Sequence, residues 1–505
     1  AFCALGRGAA LHGPRCGALS GGKRWAAALA ALQLMPRLAA PPMDDSKGAM
    51  LHNTNGYCAP SRVSDGAESG ESKGATVHNW DAHYDRRRTT TKVTKEKAVR
   101  KIKLRFVAAM LRRKAPDEKV EESDAVRSLQ ILKILLLEPI NFLLLAAPLG
   151  IVGWFQDWGP VVVFCGCFFA LMPLAKLLGD ATEHLAESLN QTIGGLLNAT
   201  FGNAVEMIVT VSAIRRHLLG VVKHSLVGSI LSNLLLVLGM SFFVGGIRYQ
   251  DQKFSGAAAL INITMLLVGI MSFCLPTVFA FSVETGDILS ISRLSAIFVG
   301  IGYCAYLVFQ LHTHVEVFED KVEDAEELDE RSGSCDALTE GEVEAVLGVP
   351  WAMGLLLVST VCVSFLSEYM VDSISGLVDE WKLSQAFVGC ILVPIVGNAC
   401  EHASAVRMAY CNKVAAAIAV AVGSSTQISM LVMPFAVLIG WIMDEPLDMN
   451  MSPMGLSVLF LSVMVVFSIV TDGKSNWLEG FMLMLAYCLV GILYWYTPDS
   501  ETGGL

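Results

Sequence analysis

Charge is scarce in this 505-residue sequence: Asp, Glu, Lys and Arg make up 17% of it, against 53% hydrophobic residues, and the mean hydropathy is +0.53. An ordinary soluble protein does not need so much apolar surface, so the first expectation is a membrane protein. Alternation of apolar and polar residues over segments of about ten residues is also missing, which excludes a transmembrane β-barrel reading. There is no His-Glu-x-x-His and no pair of Gly-x-Gly-Asp and Tyr-Asp motifs, and Leu-Leu-Gly-Asp at 177–180 lacks the required Gly. Membrane-embedded hydrolysis is therefore poorly supported, no enzyme activity is expected, and neither cofactor nor nucleic-acid partner is implied. Most of the 13 cysteines, such as Cys165, Cys167, Cys362 and Cys400, fall inside apolar runs. A small hydrophobic residue fits there, so they imply neither disulfides nor a metal cluster.

What is abundant is the long apolar run. A hydrocarbon layer of about 30 Å takes roughly 20 apolar residues in helical form. About eleven such stretches follow residue 130, near 134–155, 160–178, 190–213, 222–246, 256–280, 288–311, 351–371, 385–407, 413–442, 454–471 and 477–496. The fold class expected is an all-α polytopic membrane protein with about eleven transmembrane helices.

Residues 1–43 contain no Asp or Glu, several Arg and an Ala-rich run from Trp25 to Met35. That run is too short to span, and the segment reads equally as a targeting segment, as translated leader or as part of the mature protein. Residues 44–94, rich in Gly, Ser and Asp, cannot bury enough surface to fold alone. Residues 95–114 form a basic helix candidate in which Ile102, Phe106, Val107 and Met110 share one apolar face. Positive charge before the first span favours a cytosolic N-terminus; the sharper readings are an anionic-lipid anchor, a docking segment for a regulatory protein, or a gate.

With the N-terminus inside, Asp444, Glu445 and Asp448 fall on the outer side, as does the C-terminus, but Arg215, Arg216 and Lys223 fall there too, against the charge bias. Between the sixth and seventh spans, residues 312–350 carry thirteen acids from Glu316 to Glu344 against Lys321 and Arg331. Such a run is either a solvated flexible face or a regulatory attractor of divalent cations, through Glu319, Asp320, Glu323, Asp324, Glu326 and Glu327. It lacks EF-hand spacing.

The most informative feature is a repeat. Residues 202–206 read Gly-Asn-Ala-Val-Glu and residues 397–401 read Gly-Asn-Ala-Cys-Glu, so Glu206 and Glu401 are 195 positions apart. The same offset maps Gly194 onto Gly389, Gly202 onto Gly397, Asn203 onto Asn398, Gly228 and Ser229 onto Gly423 and Ser424, and Ser232 onto Gln427. A weaker match at offset 185 relates Glu183, Glu187 and Ser188 to Glu368, Asp372 and Ser373. Each repeat then covers five spans, with one extra span before them. An odd count gives the two repeats opposite orientations and brings their equivalent helices together at mid-membrane.

An intramembrane carboxylate costs about 2.5–3.5 kcal/mol to insert and is a functional candidate by default. The two-fold relation predicts that Glu206 and Glu401 face each other. Two carboxylates with neutral oxygens suit a hard divalent cation such as Ca²⁺. Asn203 and Asn398, one helical turn before each Glu, are expected to coordinate or orient the carboxylates, and Gly202 and Gly397 to allow unwinding that frees backbone carbonyls. Glu183, Ser232, Glu368 and Gln427 are supporting polar candidates. Two close carboxylates in a low dielectric repel unless they hold a cation or protons, and that exclusive choice is what an exchanger requires.

These residues resemble the cation/proton exchanger family of the calcium/cation antiporter superfamily, whose repeats carry Gly-Asn-Ala-x-Glu with His after the second Glu, as His402 follows Glu401. The resemblance covers about 130–496. It implies one extra N-terminal span plus two inverted five-helix repeats, Ca²⁺/H⁺ antiport with Glu206 and Glu401 shared by calcium and protons, and frequent residence in vacuolar membranes. His402 is open between proton coupling and a structural hydrogen bond. The domain reading is 1–128 a disordered, basic cytosolic region with a regulatory, inhibitory role open, 129–156 the extra span, 157–311 the first repeat, 312–350 the acidic cytosolic segment, 351–496 the second repeat and 497–505 a tail. A sodium- or potassium-coupled calcium exchanger and a calcium channel are the alternatives. Transport of Mn²⁺ or other divalents, proton stoichiometry, oligomeric state and placement in a vacuolar, other acidic or plasma membrane stay open.

Overall fold

The computed structural model describes residues 128–254, 256–280, 288–318 and 347–498. The basic helix candidate, the residues from Glu319 to Glu327 and the last residues of the tail lie outside them.

Nearly everything described is helix. In chain order these are α1 (Ser128–Leu136), α2 (Pro139–Phe155), α3 (Pro160–Glu187), α4 (Gln191–Phe201), α5 (Ala204–Arg215) and α6 (Leu219–Arg248). There follow α7 (Gly256–Ala280), α8 (Ile288–Thr313), α9 (Val349–Asp372), α10 (Ile374–Trp381), α11 (Gln385–Gly397) and α12 (Ala399–Tyr410). The last are α13 (Val414–Ile442), α14 (Pro453–Val470) and α15 (Trp477–Trp495). A two-residue antiparallel ladder, Gln252 with Ser475 and Lys253 with Lys474, ties the ends of α6 and α14. Among the described residues nine helices are long and apolar enough to cross a membrane, and eleven spans result if α1 with α2 and α11 with α12 each count as one.

Two helices depart from the apolar runs for identifiable reasons. The first run, expected as one stretch from 134, begins at Ser128 and bends by 65° between α1 and α2. Pro139 supplies the break: the residue before a proline avoids the helical region, and Glu138 is extended at ψ 144°. Helix α3 runs nine residues past the expected end at 178. Lys176 pairs there with Asp180 at 2.7 Å, one turn on, and with Glu138 at 2.8 Å, so the charges that end the apolar run are neutralised inside the helix.

The core is a bundle in which α3 packs along α9, α5 against α9, and α6 against α11, α12 and α15. One of its closest crossings is at Gly228, where a side chain would overlap the Cys390 backbone of α11. A glycine there lets the two backbones touch.

Two of the three cations that strained the topology, Arg216 and Lys223, find acids at one end of the bundle, as does the neighbouring His217. Arg216 reaches Asp372 at 2.8 Å, His217 reaches Glu445 at 2.7 Å, and Lys223 holds Asp448 at 2.5 Å and the Asn450 carbonyl at 3.0 Å. Their acids lie after the seventh and ninth apolar runs, on the same side as Arg216 in the expected topology. Acids count little in the charge bias that sets orientation, so these pairs do not bear on the conflict.

Candidate functional site

The site grows from two breaks at the same place in the two motifs. α4 ends at Phe201 and α5 starts at Ala204, with Asn203 non-helical at φ −107°, ψ 22°. α11 ends at Gly397 and α12 starts at Ala399, with Asn398 at φ −87°, ψ 15°. The second break bends the chain by 60°, whereas Thr192–Arg215 keeps one direction. Pro394, which lacks an N–H, and a π-helical turn over Val388–Leu392 precede only the second break.

The asparagines are therefore helix caps at breaks, not members of a continuous helix as the spacing alone suggests. Glu206 and Glu401 each fall three residues after their asparagine, in the first turn of α5 and α12. The positive end of each helix dipole and its free N–H groups point toward that turn. Both carboxylates are buried, at 5% and 8% exposure.

The two motifs interlock. A methyl group added at Gly397 would stand 2.7 Å from Glu206 Oε1, so the Glu206 carboxylate lies against the backbone of the opposite motif. Gly202 has no matching relation to Glu401: a methyl group there meets the Asn198 carbonyl of its own helix at 2.6 Å. Glu206 also lines a cavity of about 10 Å³ with Ser225, Ser229, Val393 and Gly397, room for one water-sized particle.

Hydrogen bonds separate the ring of polar residues into anchors and free oxygens. Asn203 Nδ2 donates to Gln427 Oε1 at 2.6 Å, which leaves Asn203 Oδ1 buried without a partner. Asn398 is engaged at both ends: Nδ2 donates to the Ser229 carbonyl at 3.2 Å, and Oδ1 accepts from Asn233 Nδ2 at 3.4 Å. Asn233 Nδ2 also donates to Ser424 Oγ at 3.0 Å, and Ser424 Oγ donates to Glu401 Oε1 at 3.4 Å. Both oxygens of Glu206, Oε2 of Glu401, Oδ1 of Asn203 and Oδ1 of Asn233 are buried with no protein partner.

Each expected residue can thus be placed. Glu206, Glu401, Asn203, Asn398, Gly397 and Gln427 belong to one connected region; Gly202 lies at the first break without touching the opposite motif. Ser232 Oγ meets His402 Nε2 at 3.3 Å. Glu183 is exposed near the end of α3, and Glu368 lies 3.7 Å from Arg216 near the end of α9, so neither belongs to this network. Asn233, Ser229 and Ser424 are site neighbours that sequence reasoning did not assign. Among the described residues no three His, Cys, Asp or Glu converge as a metal centre, so a cation held by the carboxylate pair needs neutral oxygens beside it.

The fold and this region define a polytopic helical membrane protein with paired carboxylates buried at interrupted helices. A family model described as sodium/calcium exchanger protein matches residues 159–312 and 351–496, and the chain belongs to that family. It is similar to vacuolar cation/proton exchanger 3 of Oryza sativa subsp. japonica, 40% identical over 390 residues that cover 75% of this chain and 90% of that relative. It is also similar to a Ca(2+)/H(+) antiporter of Aphanothece halophytica, 38% identical over 365 residues, 70% of this chain and 96% of the relative. The solved structure of native YfkE superposes with a TM-score of 0.60 at 34% identity, covering 71% of this chain and 100% of that one. The resemblance to cation/proton exchangers drawn from the two motifs is borne out.

Proposed function

We propose that this protein is a secondary antiporter that exchanges cytosolic Ca²⁺ for H⁺, with Glu206 and Glu401 serving both ions in turn. The observation that carries the reading is the set of buried carboxylate and amide oxygens without partners around the two breaks. Neither carboxylate has an ion-pair partner among the described residues, and an uncompensated buried charge is costly, so the pair has to hold either a cation or protons. Calcium accepts six to eight oxygens of mixed type, which matches carboxylates joined by amides, hydroxyls and backbone carbonyls.

The exchange follows from exclusion. When a divalent cation enters, it compensates the carboxylates, and protons leave; when protons arrive from the other side, they weaken the hold on the cation. Asn203, fixed by Gln427, presents its oxygen, while Asn398 and Asn233 position Ser424 and the Glu401 turn. Two inverted repeats that expose the region alternately to each side complete the cycle. The names of the relatives support the ion pair, and that of the vacuolar exchanger supports placement in a vacuolar membrane; a cytosolic N-terminus rests on the basic residues before the first span.

The test is flux in reconstituted vesicles. An imposed pH gradient is expected to drive Ca²⁺ uptake, and imposed calcium to drive proton release. Uptake that follows a sodium or potassium gradient and ignores pH would replace this reading with a sodium- or potassium-coupled exchanger. Conduction without stoichiometric proton movement would mean a channel.

A further inference from the structure

Helix α5 carries Glu206 at its start and Arg216 just past its end. Along its length it faces α9 across a cleft of about 300 Å³, lined among others by Met207, Ser212, Arg215, Ser364, Glu368 and Phe435. The inner end of the cleft is Met207, next in sequence to Glu206; its outer end is Arg215 with Glu368. Beyond that rim the Arg216 guanidinium reaches over to α9, 2.8 Å from Asp372 and 3.7 Å from Glu368.

Asp372 is shared. Its second oxygen accepts from Trp154 Nε1 of α2 at 3.1 Å, and the Trp154 ring stacks on Tyr369 of α9 at 4.6 Å between centroids. Helix α2 lies outside both motif-bearing halves, and this stack and hydrogen bond fix it to the end of α9. The contact between Arg216 and Asp372 then joins two assemblies: the helix that carries Glu206, and the α2–α9 pair.

We propose that Arg216 is a positioning residue for exchange: held by Asp372, it ties the end of the Glu206 helix to the α2–α9 pair beside the rim of the α5–α9 cleft and limits how far that cleft opens. Release of the tie admits water and ions along Met207 and Ser212 toward Glu206. The inference rests on the reading of Glu206 as part of the exchange site, but its test does not require flux. Both side chains are about one third exposed, at 37% and 34%, and an ion pair of that kind shifts an equilibrium by up to about fivefold. A tie of that strength biases the narrower arrangement and still breaks in every cycle, whereas a much stronger one would hold the protein in one state.

The experiment places a reporter thiol in the cleft by Ser212→Cys in the full chain. It follows labelling of the peptide containing position 212 by a membrane-impermeant maleimide, in vesicles of both orientations. Adding Arg216→Gln is expected to raise the labelling rate about two- to fivefold from one side only. Arg216→Lys, which keeps the charge, is expected to stay near the parent. Asp372→Asn, which keeps an acceptor for Trp154 but removes the charge, is expected to match Arg216→Gln and serves if that variant fails to accumulate. Parental labelling in both Arg216→Gln and Asp372→Asn overturns the proposal, as does an equal rise for Arg216→Lys and Arg216→Gln. A one-sided rise in a protein that shows no Ca²⁺/H⁺ exchange would instead leave the tie standing and remove the proposed function.

Discussion

Gly397→Ala is the sharpest probe of how the two motifs meet. The added methyl would stand 2.7 Å from Glu206 Oε1, 3.1 Å from its Cδ and 3.4 Å from its Cγ. Ordinary contacts of such a methyl begin near 3.4 Å, so the carboxylate oxygen has to retreat by about 0.7 Å. Calcium–oxygen distances occupy a window of about 2.3–2.6 Å, and a displacement larger than that window takes the oxygen out of coordination or drags the ion off its other ligands. Losses of this kind run at about 10- to 100-fold in metal affinity. The assay is pH-gradient-driven Ca²⁺ uptake over a range of calcium concentrations in reconstituted vesicles. The half-saturating calcium concentration is expected to rise by that factor, with a smaller change in maximal rate. Gly354→Ala, in α9, is the matched control, since a methyl there meets nothing within 4 Å. A Gly397→Ala protein with parental half-saturation would refute the placement of Glu206 as a ligand beside the opposite motif.

Glu206→Gln and Glu401→Gln are each expected to reduce exchange to background while the protein still accumulates, because a neutral amide removes a buried charge without changing shape; near-normal transport by either would contradict a shared site. Asn233→Ala withdraws the donor to both Asn398 and Ser424 and should lower thermal stability in detergent by about 1–3 kcal/mol, with weakened calcium uptake. Lys223→Met leaves Asp448 without its cation and should cost about 1–3 kcal/mol in the same denaturation assay while exchange persists. Acidifying the side from which calcium is loaded should raise its half-saturating concentration, because protons and calcium compete for the same oxygens.

Much of this was legible in the sequence because membrane insertion demands long apolar runs, and because a duplicated motif repeats its chemistry at a fixed offset. The breaks at Gly202–Asn203 and Gly397–Asn398 follow from residue types that interrupt helices. The offset method is blind, however, to a residue whose counterpart has changed. Asn233 maps onto Ile428, so nothing marked it, although it bridges Asn398 and Ser424. Partner choice was equally hidden: Arg216 with Asp372 and Lys223 with Asp448 are joined by packing between distant segments. Gly397 was expected for unwinding, and only the fold reveals that its missing side chain makes room for Glu206. The bend at Glu138–Pro139 and the extension of α3 arise from a proline and a local charge pair inside otherwise apolar stretches.

The central claim is that calcium and protons compete for one pair of carboxylates. It is tested most directly by adding Ca²⁺ to the purified protein in weakly buffered detergent solution and recording bound calcium and released protons together. Proton release that accompanies calcium binding, and that disappears in Glu206→Gln and Glu401→Gln, is the predicted result. Calcium binding without proton release from pH 5 to 8, or unchanged release in both variants, would contradict it.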